Sequence, residues 1–130
     1  MKTQVIVDKK NKKVICTQIS NGRTHDFKLY KESGVQIRKD IKSLTDTGFL
    51  GIKALHENSE LPVKSSKYHK LSKEEKTYNR SISRMRVANE HAIGFLKRFA
   101  IIADKYRNRR KRFGLRFNLI AGICNFDISA

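Results

Sequence analysis

Leu44-Thr-Asp-Thr-Gly-Phe-Leu-Gly51 is the stretch on which the fold turns. It closes the run Ile41-Lys-Ser-Leu-Thr45, which reads as a short strand. Asp46-Thr-Gly48 then makes a turn, because Asp bonds the backbone ahead of it and Gly tolerates the conformations a turn needs. Beyond the turn, Phe49, Ile52 and Leu55 recur at helical spacing. Asp46 is therefore expected at the carboxyl end of a strand, where it can serve as a turn or N-cap residue and nothing more, or can present its carboxylate to a ligand.

Upstream, Gln4-Val-Ile-Val7 and Lys13-Val-Ile-Cys-Thr-Gln-Ile19 are rich in β-branched residues and flank the polar run Asp8–Lys12, so an antiparallel hairpin is expected. Asn21-Gly22 stops the second strand. Thr24 is placed to cap a helix over His25–Ser33, with Phe27 and Tyr30 on one face, and Gly34 is placed to end it. Downstream, residues 58–76 contain the single proline, Pro62, among many Lys and Ser residues, and read as a loop or an exposed edge strand. Ser72-Lys-Glu-Glu75 has capping-box spacing. It predicts a long helix whose apolar stripe (Ile82, Met85, Ala92, Ile93, Leu96, Phe99) runs on to Ala103. A basic and apolar segment, residues 104–130, follows, with a final helix over Phe113–Phe126.

This order, with strands mixed among helices, predicts an α/β domain: a mixed sheet flanked by helices and lacking a central strand, since three or four strands with this many helices normally need one more partner. At 130 residues there is room for one modest core. Lys and Arg number 29 against 12 acids, for a net charge of +17 at pH 7, which makes a polyanion such as nucleic acid the leading partner. No apolar run approaches the roughly 20 residues of a bilayer span, and the N-terminus has no apolar signal region, so a cytoplasmic protein without a membrane partner is expected. Cys16 and Cys124 show no pairing pattern and read as buried reduced thiols.

Within the predicted long helix, Arg86, Glu90 and Lys97 fall within roughly 40° of one another at about 100° per residue, placing a carboxylate between two cations. That pattern suits a solvated, salt-bridged face. An Asp at a strand end combined with a Glu on a later helix also suits a two-metal phosphoryl-transfer site, whose hard divalent cations demand oxygen ligands. Arg107-Asn-Arg-Arg-Lys-Arg112 and Lys9, Lys10, Lys12 and Lys13 are phosphate-contact candidates. The four histidines, His25, His56, His69 and His91, show no metal-ligand spacing.

The strings Leu44–Gly51 and Arg86-Val-Ala-Asn-Glu-His-Ala-Ile-Gly-Phe-Leu-Lys97 resemble the second-Asp and Glu regions of DDE transposases from bacterial insertion sequences, in the insertion-sequence-5 group. The spacing Arg, three residues, Glu, six residues, Lys is similar to that family's signature. Gly22-Arg-Thr-His-Asp26 resembles the Gly-x-x-His-Asp segment ahead of the second catalytic Asp, and Arg107–Phe126 resembles the family's basic and apolar ending. A Tyr normally stands three residues before the signature Arg; here it is Ser83.

The resemblance implies a ribonuclease-H-like fold, here incomplete, with the first strand and its Asp expected upstream of Met1. It implies Asp46 and Glu90 as catalytic, metal-binding residues, with Mg²⁺ or Mn²⁺ as cofactor. Arg86 and Lys97 would hold phosphates, and Arg107, Arg109, Arg110, Lys111 and Arg112 would contact DNA. His25 and Asp26 would be auxiliary: neither Asp8 nor Asp26 matches the motif of the first Asp, so Asp8 is expected in the hairpin turn and Asp26 as a cap or orienting group. The implied activity is DNA transposition, by metal-dependent strand cleavage and transfer on transposon ends and target DNA, with a homodimer in a synaptic complex. The chain by itself is expected to be inactive, marginally stable or prone to aggregate. The alternative is a non-catalytic basic nucleic-acid-binding remnant on the same scaffold.

Overall fold

A computed structural model describes residues 1–99, 102 and 110–129. The chain divides into two compact units, Met1–Gly22 with Val87–Ala130, and Arg23–Arg86.

In the first unit, strands β1 (Lys2–Val7) and β2 (Val14–Ser20) pair antiparallel from Lys2↔Ser20 to Ile6↔Cys16. The hairpin forms where the β-branched runs predict it. Asp8 sits in the turn: its side chain accepts from the Lys10 amide and its carbonyl from the Lys12 amide, both at 2.8 Å. The register then shifts to Val7↔Val14, leaving Ile15 as the extra residue of an irregularity and 66% exposed. Helices α3 (Val87–Leu96) and α4 (Phe113–Ser129) complete this unit. Its core joins Leu96 to Phe113, Phe117, Ile120, Ala121 and Cys124, with Val5, Val14 and Ile19 of the hairpin packed against them. Two asparagines of α4 dock it on β2. The Asn125 side chain donates to the Val14 carbonyl and accepts from the Val14 amide, both at 2.8 Å, as a neighbouring strand would. Thr17 bonds Asn118. Cys124 is buried as expected, whereas Cys16, on β2, is only partly buried.

In the second unit, α1 spans Asp26–Ser33 and ends at Gly34, which adopts φ +67° and donates to the Lys31 carbonyl. The helix opens one residue later than the Thr24 cap implied: His25 occupies the N-cap position and makes no side-chain capping bond. The strand expected over Ile41–Thr45 shortens to β3 (Ser43–Leu44), and the helical spacing of Phe49, Ile52 and Leu55 is realised as two 3₁₀ turns, Thr47–Phe49 and Ile52–Ala54. The intervening Gly51, at φ +96°, separates them. Residues 58–76 are not simply a loop, since β4 (Ser59–Glu60) pairs in parallel with β3. The same segment is pinned farther on, where Asn79 bonds both the amide and the carbonyl of Val63, at 2.7 and 3.0 Å. Helix α2 (Lys73–Met85) starts with the capping box the sequence predicts: Ser72 accepts from the Glu75 amide at 3.2 Å, and Glu75 accepts from the Ser72 amide at 2.9 Å. Leu29, Tyr30, Ile52 and Ile82 are buried, and His56, also buried, bonds the Ile41 carbonyl at 2.8 Å.

Two expectations are corrected here. The described residues form a mixed α/β structure with two separate two-stranded sheets, one antiparallel and one parallel, in place of a single mixed sheet. Strands two residues long offer too little edge to recruit further partners. The single long helix is also two helices. At Arg86 (φ −83°, ψ −5°) the amide bonds the carbonyls of Ile82 and Ser83, a tightened last turn that ends α2, and α3 begins at Val87. No Gly or Pro marks this break, so periodicity alone ran through it. Beyond it, α3 stops at Leu96, Phe99 and Ile102 bond three residues back, and Ile102 is itself helical. Ala103 lies outside the described residues. The final helix is observed, extended to Ser129.

Candidate metal-binding carboxylates

Asp46 occupies the N-cap of the first 3₁₀ turn, two residues beyond β3. Its Oδ1 accepts from the Gly48 amide at 2.9 Å, the local bond an Asp-x-Gly turn provides. Its Oδ2 lies 3.7 Å from an Arg86 guanidinium nitrogen. The Asp46 side chain is 46% exposed and that of Arg86 27%, so the pair is half-solvated and worth little to stability. What it does is fix direction. One oxygen is tied to the turn, the other faces the cation, and the carboxylate remains open to solvent.

Gly48 brings in a second carboxylate. A Cβ built on Gly48 would stand 2.7 Å from Asp26 Oδ2 and 3.0 Å from Asp46 Oδ1. Asp26, in the first turn of α1, and Asp46 therefore converge on the same point above the glycine, which has room for them only because it lacks a side chain. This convergence is the feature sequence reading missed. From the sequence Asp26 reads as an auxiliary residue and Gly48 as a turn former. The signal was present in the two quoted strings, Gly22–Asp26 and Asp46–Gly48, but nothing in their separation says that they meet.

The remaining nominated residues distribute as follows. Arg86 no longer shares a helix with Glu90; its observed partner is Asp46. Glu90, in the first turn of α3, is exposed, as is Lys97 immediately beyond that helix; seven residues apart, they share a face, and neither has an ion pair among the described residues. Lys111 and Arg112 are exposed in a short 3₁₀ turn, Arg110–Arg112, before α4; of Arg110 only the backbone is described. Arg107 and Arg109 lie outside the described residues. His25 precedes α1 without capping it. His69 bonds Glu75 at 3.1 Å and serves the α2 capping box. The open cleft of the second unit, lined by Tyr30, Lys31, Val35, Ile37, Leu55 and His56 among others, contains none of the nominated residues.

The donor chemistry at Asp46 suits a hard divalent cation, because a half-exposed carboxylate offers oxygen lone pairs without a desolvation cost. The set is partial, however: among the described residues no group of three His, Cys, Asp or Glu side chains is arranged to hold a metal. No described helix is long and apolar enough to cross a membrane.

Residues 1–125 match the family described as the DDE superfamily endonuclease. The chain is also 46% identical over 129 residues to a protein of Microchaete diplosiphon described as a probable transposase for insertion sequence element IS702. That alignment covers 99% of this chain and 47% of the relative, so the chain spans about half the length of the curated relative it matches. No solved structure matches it. With the family match covering nearly its whole length, the chain belongs to the DDE superfamily of endonucleases.

Proposed function

We propose that this chain supplies two of the three metal-binding carboxylates, Asp46 and Glu90, of an insertion-sequence transposase that cleaves transposon ends and joins them to target DNA. The observation that carries the reading is the Asp46 carboxylate: it sits past a strand end, is oriented by the Gly48 amide and faced by Arg86, yet is open to solvent. The fold that goes with this reading is an incomplete ribonuclease-H-like domain of the insertion-sequence-5 group, in which β1 and β2 are the family's second and third strands.

Mg²⁺ or Mn²⁺, when bound, would activate the attacking hydroxyl and offset charge on the leaving oxygen. This chain's own residues do the rest. Asp46 and Glu90 supply oxygen ligands. Arg86, through its contact with Asp46 Oδ2, positions that carboxylate, and its guanidinium would hold a scissile phosphate. Lys97, Arg110, Lys111 and Arg112, with Arg107 and Arg109, contact the DNA backbone, where clustered cations gain from counterion release. They position DNA without reading its sequence. A homodimer in a synaptic complex and a cytoplasmic setting complete the reading.

On this reading the chain by itself does not cleave DNA. Specific nicking by the isolated chain that vanishes in Glu90→Ala would overturn that part. The excess of Lys and Arg favours one further reading, a basic nucleic-acid-binding remnant that never loads metal. Mn²⁺ titration by paramagnetic resonance separates the two. The protein is joined to the part of the IS702 relative that the chain does not match; the transposase reading requires binding that weakens in Asp46→Asn and Glu90→Gln, and the remnant reading requires that neither change matter.

A further inference from the structure

Helix α4 is apolar on both faces. Phe113, Phe117, Ile120, Ala121 and Cys124 form the inward arc and are buried in the core of the first unit. On the opposite arc stand Leu115, 74% exposed, Leu119, 65%, and Phe126, 75%. At about 100° per residue these three lie within roughly 40° of one another, and Ile123, also exposed, flanks them. Isolated exposed apolar residues are ordinary, but a contiguous stripe this apolar on a helix whose other side is already core is the pattern of a helix enclosed between two layers.

We propose that the outward face of α4 is the docking surface for the remainder of the family polypeptide, the portion corresponding to the half of the IS702 relative that this chain does not match. Length supports that occupant: the relative carries more than as much chain again, 53% of it being outside the alignment if 47% is inside. The matched part shows an uncovered apolar helix face ready to receive it. In the absence of DNA to neutralise them, charge argues against the chain's own copy, since two molecules of +17 would have to meet at this face. The helix itself argues against a lipid surface. An interfacial helix needs a polar, basic face opposite its apolar one, and here the opposite face is core. This inference stands apart from metal chemistry and from DNA.

The test is the labelling rate of a Leu119→Cys thiol by a maleimide, followed at that site by mass spectrometry. It is measured in the chain alone and in the chain joined to the unmatched part of the IS702 relative. A single exposed Leu-to-Cys change removes no core contact, and circular dichroism checks that the helix persists. The expected result is rapid labelling in the chain alone and a rate slowed about tenfold or more in the joined protein, as protection by packing requires. Joined protein that labels as fast as the chain alone overturns the proposal. So does labelling of the chain alone that slows with rising protein concentration, which assigns the face to a second copy, or that slows on adding phosphatidylcholine–phosphatidylglycerol vesicles, which assigns it to lipid.

Discussion

Around Asp46, three residues from three different elements determine what the carboxylate can do. Gly48 gives it a backbone donor, Arg86 a facing cation, and Asp26 a neighbouring anion. Gly48 is the least replaceable of them. In Gly48→Ala the new Cβ would meet two carboxylate oxygens at 2.7 and 3.0 Å, and the flexible ends of Asp26 and Asp46 must swing away. The expected outcome is a small change in thermal stability with a clear loss of Mn²⁺ affinity in the completed protein, read by calorimetric titration; unchanged affinity would show that the orientation of Asp46 does not depend on this turn. Arg86→Ala should cost under about 1 kcal/mol in chemical denaturation, because a half-exposed pair is weak. A much larger loss would mean that Arg86 is structural. At this scale the sequence was partly legible. Asp46, Asp26 and Arg86 could each be nominated from local strings, but the ion pair spans forty positions and no periodicity encodes it.

Helix α2 shows how an element can be read before it is seen, and where that reading stops. Its start is written in Ser72 and Glu75, because each side chain satisfies a backbone amide of the other. Ser72→Ala should cost about 1 kcal/mol of stability, measured by urea denaturation. The Glu75 carboxyl titrates below its ordinary range, chiefly because it accepts from the Ser72 amide and secondarily because of His69. A lowered carboxylate pKa stabilises above the unfolded value and is lost as pH falls through the folded one. The helix content of α2 should therefore decline as pH drops below about 4.5, and Glu75→Gln should remove that dependence while keeping most of the cap. Ellipticity followed from pH 7 to 3 checks both. The helix's end was not legible, since Arg86 breaks it with a tightened turn and a tertiary contact, without Gly or Pro. By contrast Gly34 announces its own role: at φ +67° it needs no Cβ, and Gly34→Ala should destabilise by about 1 kcal/mol in the same denaturation assay. The strands fall between these cases. The β1–β2 hairpin follows from its β-branched runs, whereas the polar, proline-containing stretch 58–76 left loop and exposed edge strand both open, and neither reading anticipated that Ser59 of β4 is buried.

Two features of the molecule as a whole stand out: its charge and the uncovered side of α4. At +17, affinity for duplex DNA should fall steeply between 50 and 200 mM salt, about 10³-fold or more if six or more phosphates are contacted; fluorescence anisotropy that barely responds to salt would remove the electrostatic basis of the account. Basic composition made this property visible in the sequence, and the apolar residues on both sides of Phe113–Phe126 were equally visible. Their division into core and uncovered faces required the packing of Leu96 and the hairpin against one side. The central claim is that Asp46 and Glu90 are working ligands of a transposase centre. Its most direct test is end cleavage by this chain joined to the unmatched part of the IS702 relative, assayed with Mg²⁺ and Mn²⁺ on that element's terminal sequence. The account predicts metal-dependent nicking that falls by about 10² or more in Asp46→Asn and in Glu90→Gln, as loss of a metal ligand should produce. Nicking that survives either change at the level of the unmodified protein would contradict it.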